Sequence, residues 1–258
     1  MSRSTDAAPA RFTARVRERT QVSPHMVRLY FDGPGLAGFC STGVPDERLH
    51  LYLPEAQADP EEVIDRFRAS TARSPERELP LARRSYTVQD WDPDTGVLAI
   101  DFAEHRGGAV TEWLRRARPG APVGLSAASG WYAPPEGTTW QLLVSDMTGL
   151  PALGRILDGL GDGARVHVVT EVPTDDDDPG LPGASGVTHR RLVGSGNGRA
   201  PSRLTAAATS WEPPDGPGYV WCAAEAATCQ EIKAALREHP GQVGASEIRA
   251  YWRAGRER

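Results

Sequence analysis

The sequence predicts two domains in tandem, a small antiparallel β-barrel followed by an α/β domain with a parallel sheet. Residues 11–130 contain six short apolar runs, separated by glycine, proline and aspartate turns, with a short helical pattern between the fifth and sixth runs. From residue 140 onward, wholly apolar strands alternate with helical patterns, which is typical of a parallel sheet with crossover helices. We place the barrel domain at residues 1–135 and the α/β domain at 136–258, because a proline-rich stretch separates the two patterns.

The six barrel strands are predicted at residues 12–19, 26–31, 50–53, 85–91, 97–102 and 121–125. Strands 85–91 and 97–102 form the best predicted hairpin, because residues 92–96 supply aspartate, proline and glycine for a turn. Residues 55–80 are charged and read as an insertion. Within it, Val63, Ile64 and Phe67 favour one or two turns of helix over residues 61–69.

The strands of the second domain are predicted at residues 140–144, 165–172, 187–192 and 219–223. The helices are predicted at 109–117 in the barrel, with Trp113 and Leu114 inward, and at 149–160, 201–210 and 226–238 in the second domain.

Composition excludes several classes of protein. A net charge of -5 and a pI near 5.7 argue against a nucleic-acid binder, which needs a basic face to neutralise phosphates. No apolar run approaches the roughly 18 residues that span a bilayer, and residues 1–10 lack a signal-peptide core. The three cysteines form no C-x-x-C, so neither a zinc site nor a disulfide framework is indicated. We expect a protein of the reducing cytoplasm.

The tetrapeptide Arg84-Ser85-Tyr86-Thr87 carries the clearest chemistry. A guanidinium can fork onto a phosphate, an aromatic ring can cover a flat heterocycle, and a hydroxyl can bond a polar ring atom. Taken alone, a strand with an exposed arginine and a packed tyrosine explains it better. Asp101 and Phe102 end the strand that the hairpin would pair with it. His105 follows, either against a flavin ring or as a turn cap.

A second cluster opens the short helix. Gly107 and Gly108 let backbone N–H groups approach a phosphate, which the helix dipole also favours. Val110 follows, and Thr111 is either an N-cap or a phosphate ligand. A ring-binding hairpin followed by a glycine-opened helix is the order that a dinucleotide flavin needs.

The first strand–helix junction of the second domain lacks the G-x-G-x-x-G fingerprint and carries Asp146 and Thr148 instead. Thr148 is expected to be the N-cap. The junction follows a parallel strand, and open α/β sheets bind ligands at that edge. The glycine-rich run 194–198 either cradles a phosphate or, more in keeping with its composition, forms a flexible loop. The acidic run 175–178 reads as a solvated loop rather than a metal site.

Taken together, these residues resemble the siderophore-interacting protein family of the ferredoxin-reductase-like superfamily. The motifs that carry the resemblance run in the family's order: R-x-Y-T at 84–87, D-F-x-x-H at 101–105, Trp113, the D-x-T-x-L-P-A junction at 146–152, the tryptophan strand at 221–226 and Y-W-R-x-G at 251–255.

The resemblance implies a two-domain ferredoxin-reductase-like fold with FAD between a six-stranded barrel and an NAD(P)H-type domain. It also implies reduction of ferric siderophores by NADH, NADPH or a ferredoxin, with no side chain acting as acid or base and no resident metal. The residues expected at the cofactor are Arg84, Ser85, Tyr86, Thr87, Asp101, Phe102, His105, Gly107, Gly108, Val110, Thr111, Asp146, Thr148, Tyr251 and Trp252.

Two other functions fit the same fold. Met147 and Gln89 depart from the family pattern, and on that ground the second hypothesis is a homologue recruited to a biosynthetic pathway, where the pocket serves a cyclisation or another reaction without iron. A carrier that binds siderophore or flavin without turnover is the third hypothesis.

Overall fold

The computed structural model describes residues 10–104, 109–161, 163–178, 180–181, 185–237 and 243–255. Its strands form two separate sheets, one antiparallel and one parallel. The last strand of the first sheet ends at Ser126 and the first strand of the second begins at Trp140. This is the two-part architecture that the hydrophobic patterns predict.

The antiparallel sheet has seven strands within the described residues, in the spatial order β4-β3-β7-β1-β2-β6-β5. They are β1 (Arg11–Ser23), β2 (Met26–Asp32), β3 (Arg48–Pro54), β4 (Leu81–Thr87), β5 (Asp90–Asp92), β6 (Val97–Ala103) and β7 (Pro122–Ser126). The sheet curls around an apolar core of inward-facing side chains from nearly every strand. The six-strand expectation is short by one.

The seventh strand arises because the predicted strand 85–91 is two strands. Val88 and Gln89 separate β4 from β5 and belong to neither strand. Val88 N donates to the carbonyl of Glu47 (3.0 Å), and Gln89 N donates to that of Ala99 (2.9 Å). As a result β4 pairs with β3, and only β5 pairs with β6. The predicted hairpin is therefore wrong for the Arg84–Thr87 stretch, although the barrel still brings β4 and β6 together across its interior.

Two helices belong to the barrel. Helix α1 (Pro60–Ala69) begins at the cap Asp59, whose side chain accepts from the amides of Glu61 and Glu62, and it buries Val63, Ile64 and Phe67 as predicted. Helix α2 (Ala109–Arg116) buries Trp113 and Leu114, which confirms their inward orientation.

The parallel sheet has the order β10-β9-β8-β11-β12, and all neighbours in it are parallel. Its strands are β8 (Trp140–Asp146), β9 (Val166–Val172), β10 (Val187–Val193), β11 (Gly218–Glu225) and β12 (Val243–Trp252). The helices are α3 (Leu150–Asp158), α4 (Leu204–Thr209) and α5 (Ala226–Arg237). Strand order reverses beside the central β8, as in doubly wound dinucleotide-binding folds. In the part of the chain described, no helix is both long and apolar enough to cross a bilayer.

Strand β12 is absent from the sequence prediction. It is an edge strand that pairs only with β11, and among its ten residues only Ile248 is fully buried. With small and polar side chains on both faces it shows neither alternation nor an apolar run. Its position nevertheless matters, because it delivers Tyr251 and Trp252 to the same end of the sheet as β8 and β11.

A buried ion pair fastens the two sheets together. Glu47, just before β3, is completely buried, and Arg155 of α3 approaches it with Nη2 3.0 Å from Oε1. The carboxylate also accepts hydrogen bonds from Ser41 and Thr42, and Arg155 donates to the carbonyl of Val88. Burial raises the pKa of Glu47, but these hydrogen bonds and the Arg155 charge outweigh it, so the pKa lies below its usual value of 4.5.

The neighbouring carboxylate, Asp46, fastens the linker between the sheets. It is buried and accepts from the backbone amides of Trp131 (2.7 Å) and Tyr132 (2.8 Å) and from the indole of Trp221 on β11 (3.2 Å). At Gly130 a side chain would meet Val44 at 2.5 Å, so the linker can follow this path only with glycine there.

The acidic run 175–178 is partly buried, which corrects the expectation of a solvated loop. Asp177 has almost no exposed surface and accepts from the Ser23 hydroxyl (2.8 Å) and the His25 amide (2.9 Å) at the β1–β2 turn. Arg191 pairs with two other carboxylates of the run. Part of the run thus joins the parallel domain to the barrel.

We predict that Glu47→Gln destabilises the protein by about 3 kcal/mol at neutral pH, because it leaves the Arg155 guanidinium without its counter-charge. Since the folded-state pKa of Glu47 is depressed, its contribution is present above pH 4.5 and is lost as pH falls through the folded pKa. The variant should therefore lose less stability than the wild type between pH 6 and pH 3. Urea titrations at both pH values measure this.

The control is Glu61→Gln, which removes the exposed Arg15–Glu61 pair and should change stability by no more than about 1 kcal/mol. Equal effects of the two substitutions would contradict the assignment of Glu47 as the clamp between the sheets.

Candidate functional site

The site begins at an open strand edge. Among the described strands β4 pairs only with β3, so the backbone N–H and C=O groups on its other side have no ladder partner. The chain then passes through Val88 and Gln89 to β5 at the opposite end of the sheet. An extended edge of this kind offers hydrogen bonds to a polar heterocycle without any specialised side chain.

Strand alternation divides the Arg84–Thr87 stretch between two faces. Arg84 and Tyr86 share the face toward the barrel interior, where the Arg84 charge offsets part of the rise that burial causes in the pKa of Tyr86. Ser85 and Thr87 share the other face, where the Ser85 hydroxyl lies 2.8 Å from Nδ1 of His50. Thr87 therefore does not lie beside Arg84 and Tyr86, although their closeness in the sequence suggests that it would.

The Tyr86 ring is held by the end of β6. It packs on Phe102 with ring centroids 4.4 Å apart and remains partly exposed. Phe102 itself has no exposed surface and acts through Tyr86. Asp101 lies in a two-bond ion pair with Arg28 of β2, at 2.6 and 2.8 Å, and this pair stabilises the barrel wall. The structure thus places Asp101 and Phe102 in support of the site rather than on its surface.

The glycine-opened helix is described only from Ala109. His105, Gly107 and Gly108, which the sequence predicts at the ring and the pyrophosphate, lie outside the described residues. Val110 and Thr111 are both buried, and Val110 belongs to the barrel core.

Thr87 has an unusual environment. The residue is buried, yet its Oγ1 forms no hydrogen bond of good geometry with any described residue. Buried hydroxyls in folded proteins nearly always have a partner, so an orphaned one indicates a ligand position. The polar group beside it is the Tyr251 hydroxyl. Burial and the Asp46 charge raise the pKa of Tyr251, whereas a poorly aligned hydrogen-bond contact with Thr87 and the Arg48 charge lower it.

A positively charged, aromatic patch adjoins Thr87; we call it the Arg48–Arg249 patch. Arg48 is the cross-strand neighbour of Thr87, and its guanidinium carbon lies 4.5 Å from the Trp131 ring centre and 6.0 Å from that of Tyr251. Arg249 of β12 lies 3.9 Å from the Trp131 ring centre. Guanidinium groups stacked on an indole are well placed to attract anions.

The two arginines differ in their charge balance. Arg249 pairs with Glu247, whereas Arg48 forms no ion pair within the described residues. Burial lowers the pKa of Arg48, yet a guanidinium keeps its proton in proteins. Arg48 therefore contributes a positive charge outside any described ion pair at the junction of the two sheets, where the carboxylates of Asp46 and Glu247 attract it at longer range.

The junction after β8 is saturated by internal hydrogen bonds. Asp146 Oδ1 accepts from the amide (2.8 Å) and the hydroxyl (2.6 Å) of Thr148, and Oδ2 accepts from the amide of Glu225 (3.0 Å) and the indole of Trp252 (2.6 Å). Burial raises the pKa of Asp146, and these donors offset part of the rise. Asp146, not Thr148, is the capping residue, and it caps a 3₁₀ turn, Met147–Gly149, that precedes α3.

The glycine-rich run 194–198 folds around Glu171 of β9. This carboxylate is completely buried and accepts from Ser195 (2.6 Å), Ser202 (2.8 Å) and the amide of Arg203 (2.7 Å). A side chain at Gly196 would meet Glu171 at 1.8 Å. The run is an ordered support for a buried acid, so it fits neither the flexible loop nor the phosphate cradle.

Sequence reasoning missed Arg48, Trp131 and Arg249 at the site, and Asp46, Glu47 and Arg155 beneath it. Asp46 and Glu47 lie in the loop before β3, Trp131 lies in the linker and Arg249 lies on the unpredicted strand β12. Arg48 begins β3 and Arg155 lies on α3, so both belong to predicted elements. The one available signal is the charged run Asp46-Glu47-Arg48 directly before an apolar strand, which composition alone assigns to the surface.

The barrel has an open β4 edge and is docked on a parallel sheet whose strands lie in the order β10-β9-β8-β11-β12. This combination defines a ferredoxin-reductase-like protein. A siderophore utilization protein from T. fusca superposes with a TM-score of 0.78 at 26% identity, covering 96% of this chain and 95% of that one. Two family descriptions match: a siderophore-interacting FAD-binding domain over residues 15–131 and a siderophore-interacting protein domain over residues 138–255. The chain belongs to the siderophore-interacting protein family.

Two curated proteins are also similar to this chain. An uncharacterised protein of Mycobacterium tuberculosis is 28% identical over 253 residues, covering 91% of this chain and 87% of the relative. An NADPH-dependent ferric-chelate reductase of Escherichia coli is 34% identical over 141 residues, covering 54% of this chain and 53% of the relative.

The residues present fit a flavin. The barrel offers an unpaired strand edge, the partly exposed ring of Tyr86, the Arg84 guanidinium on the same face and the orphaned hydroxyl of Thr87. A planar ring with polar edge atoms needs these features.

We predict that Thr87→Val weakens FAD binding two- to tenfold, which corresponds to roughly one hydrogen bond. The free energy of unfolding of the FAD-free protein should stay unchanged or rise slightly. The reason is that the only polar contact of the hydroxyl is a poorly aligned one with the Tyr251 hydroxyl, so its loss costs little until the ligand is bound. Fluorescence titration with FAD and urea unfolding of the apoprotein measure the two quantities.

Thr170→Val serves as the control. Thr170 is also buried, but its hydroxyl lies 2.8 Å from Nε2 of His189, so this variant should lose stability and keep its FAD affinity. If Thr87→Val bound FAD as tightly as the wild type, the assignment of Thr87 to the site would be contradicted.

Proposed function

We propose that this protein is an FAD-dependent, NAD(P)H-linked reductase of ferric siderophores that releases iron as Fe(II) in the cytoplasm. The observation that carries the proposal is the Arg48–Arg249 patch, which adjoins the orphaned hydroxyl of Thr87. A substrate held there lies beside the flavin position, and electron transfer to a metal chelate requires only such proximity.

The division of labour follows from the chain's own residues. Bound FAD would supply the conversion of a two-electron hydride donor into single-electron transfers. Tyr86 and Thr87 position the ring, and the β4 edge supplies backbone hydrogen bonds. Arg48, Arg249 and Trp131 attract and orient an anionic iron complex. Since oxygen ligands hold ferrous iron less tightly than ferric iron, reduction suffices for release and no side chain has to transfer a proton.

The choice of electron donor is inferred from the second domain. Its strand order and the carboxyl ends of β8 and β11 are suited to a nicotinamide dinucleotide, and the E. coli relative is named as NADPH-dependent. In this proposal residues 1–135 hold the flavin and residues 136–258 receive NADH or NADPH, with a ferredoxin as the alternative donor.

The activity is tested by reconstituting the purified protein with FAD and supplying NADH or NADPH together with a ferric siderophore under anaerobic conditions. A flavin absorption spectrum and the appearance of ferrous iron, captured by a chromogenic chelator, are expected. Protein that takes up no FAD contradicts the proposal. Protein that binds FAD but reduces no iron complex, even with its flavin reduced by dithionite, favours the biosynthetic or carrier role.

The substrate patch is tested with Arg48→Gln. We predict about a tenfold higher KM for a negatively charged tris-catecholate iron complex, because one charge-assisted contact is lost. The KM for a neutral tris-hydroxamate complex should change little. Raising the salt concentration should also raise the KM of the wild type for the charged complex, because salt screens the Arg48 charge, whereas the KM of Arg48→Gln should change little.

Arg66→Gln on α1 is the matched control, because it removes an exposed arginine that pairs with Glu62 away from the site. Equal changes in KM for the charged and the neutral complex in Arg48→Gln would show that Arg48 acts through packing and would contradict its assigned role.

A further inference from the structure

A histidine lies next to the Arg48–Arg249 patch. In the pairing of β3 with β4, Arg48 is opposite Thr87 and His50 is opposite Ser85. Side chains two residues apart on a strand share a face, so His50 lies on the face that carries Arg48 and Thr87. The leucines that alternate with them on β3 point the other way, into the barrel core. His50 itself is half-buried on its face.

The charged groups around His50 keep its imidazole neutral. Tyr52 and Arg83 form the next pair along the two strands, and Arg83 forms an ion pair with Glu76 at 3.0 Å. Burial and the positive charges of Arg83 and Arg48 lower the pKa of His50 below its usual value of 6.5, and Glu76 offsets only part of this effect. At pH 7 the ring therefore carries no charge while no anion is bound.

The hydrogen-bond partner of the imidazole is compatible with both of its charge states. Nδ1 of His50 lies 2.8 Å from Oγ of Ser85. A hydroxyl can donate to the lone pair of a neutral ring and can accept from the N–H of a charged one, whereas a carboxylate would favour the charged form only. Within the described residues the ring forms no second hydrogen bond, so Nε2 is available to a ligand.

We propose that His50 is a specificity-determining residue beside the Arg48–Arg249 patch, and that it takes up a proton when a negatively charged iron complex binds. The charge of the complex offsets the field of Arg48 and Arg83, which otherwise opposes protonation of the ring. Nε2 then donates a charge-assisted hydrogen bond to an oxygen of the complex. The proposal rests on the proposed function for its substrate class, and it adds no proton transfer to the reduction itself.

Affinity for an anionic complex should fall as the pH rises. Because binding raises the pKa of His50, the added affinity is fully present below the pKa of the free protein and is lost as pH rises through the pKa of the complex. We expect binding to be about tenfold tighter at pH 6 than at pH 8. A neutral complex does not offset the arginine charges, so its affinity should not show this dependence.

The test uses the gallium(III) complex of a hexadentate tris-catecholate, which is anionic and is not reduced by a flavin. Isothermal titration of the FAD-loaded protein measures its affinity at pH 6 and pH 8. Titrations at pH 7 in buffers of different ionisation enthalpy count the protons taken up for each complex bound. The wild type should take up protons. In His50→Gln, which keeps a hydrogen-bonding side chain opposite Ser85, both this uptake and the added affinity at pH 6 should disappear.

His167→Gln is the matched control. Nδ1 of His167 also lies close to a hydroxyl, that of Thr188 at 2.7 Å, and burial likewise lowers the pKa of this histidine. It lies on β9 of the parallel sheet, stacked on Trp211. This variant should keep the proton uptake and the pH dependence of the wild type.

A further measurement uses the wild type and does not depend on how a variant folds. In protein labelled with ¹⁵N-histidine, the ring nitrogens of His50 should change from the shifts of a neutral imidazole to those of a charged one when the gallium complex is added at pH 7. Shifts that stay neutral while the complex binds would overturn the proposal, as would equal proton uptake by His50→Gln and the wild type.

Failure of this proposal can be told apart from failure of the proposed function. If the anionic gallium complex does not bind, the role of His50 is refuted. Reduction of a neutral ferric tris-hydroxamate by the FAD-loaded protein still reports on the reductase activity, because that substrate does not require a charged His50.

Discussion

The structure depends on a pair of adjacent buried carboxylates, Asp46 and Glu47, that join the barrel to the parallel sheet. Glu47 faces Arg155 of α3, and Asp46 faces the linker and the indole of Trp221. Charges buried without partners cost several kcal/mol each, so these contacts strongly disfavour any arrangement in which the sheets separate. These two neighbouring residues, together with the contacts of Asp177 to Ser23 and His25, hold the domains in their relative position.

That position creates the site. Thr87 and Arg48 belong to the barrel, whereas Tyr251 and Arg249 belong to the last strand of the other sheet, and they meet only because the sheets are docked. The consecutive order Asp46-Glu47-Arg48 places the clamp and the arginine of the proposed substrate patch on one short segment. Losing the clamp is expected to disturb both the stability of the fold and the geometry of the patch.

The sequence predicts the architecture well, because apolar periodicity reports burial directly. The helices α1 and α2 and the strands β8 to β11 are confirmed to within a few residues. It fails where partners are distant in the chain. Glu47 and Arg155 are 108 residues apart, and nothing local marks either as buried. It also fails for β12, whose polar edge position leaves no pattern. The Arg84–Thr87 motif shows the same limit: strand alternation sends Thr87 toward the other domain, away from Arg84 and Tyr86.

The central claim is that the open edge of β4 receives the flavin. Hydrogen–deuterium exchange of the backbone amides, compared with and without FAD, tests it most directly. The account predicts that amides of residues 84–87 that face away from β3 exchange rapidly in the apoprotein and become protected when FAD binds. Protection confined to other segments, with residues 84–87 exchanging as before, would contradict it.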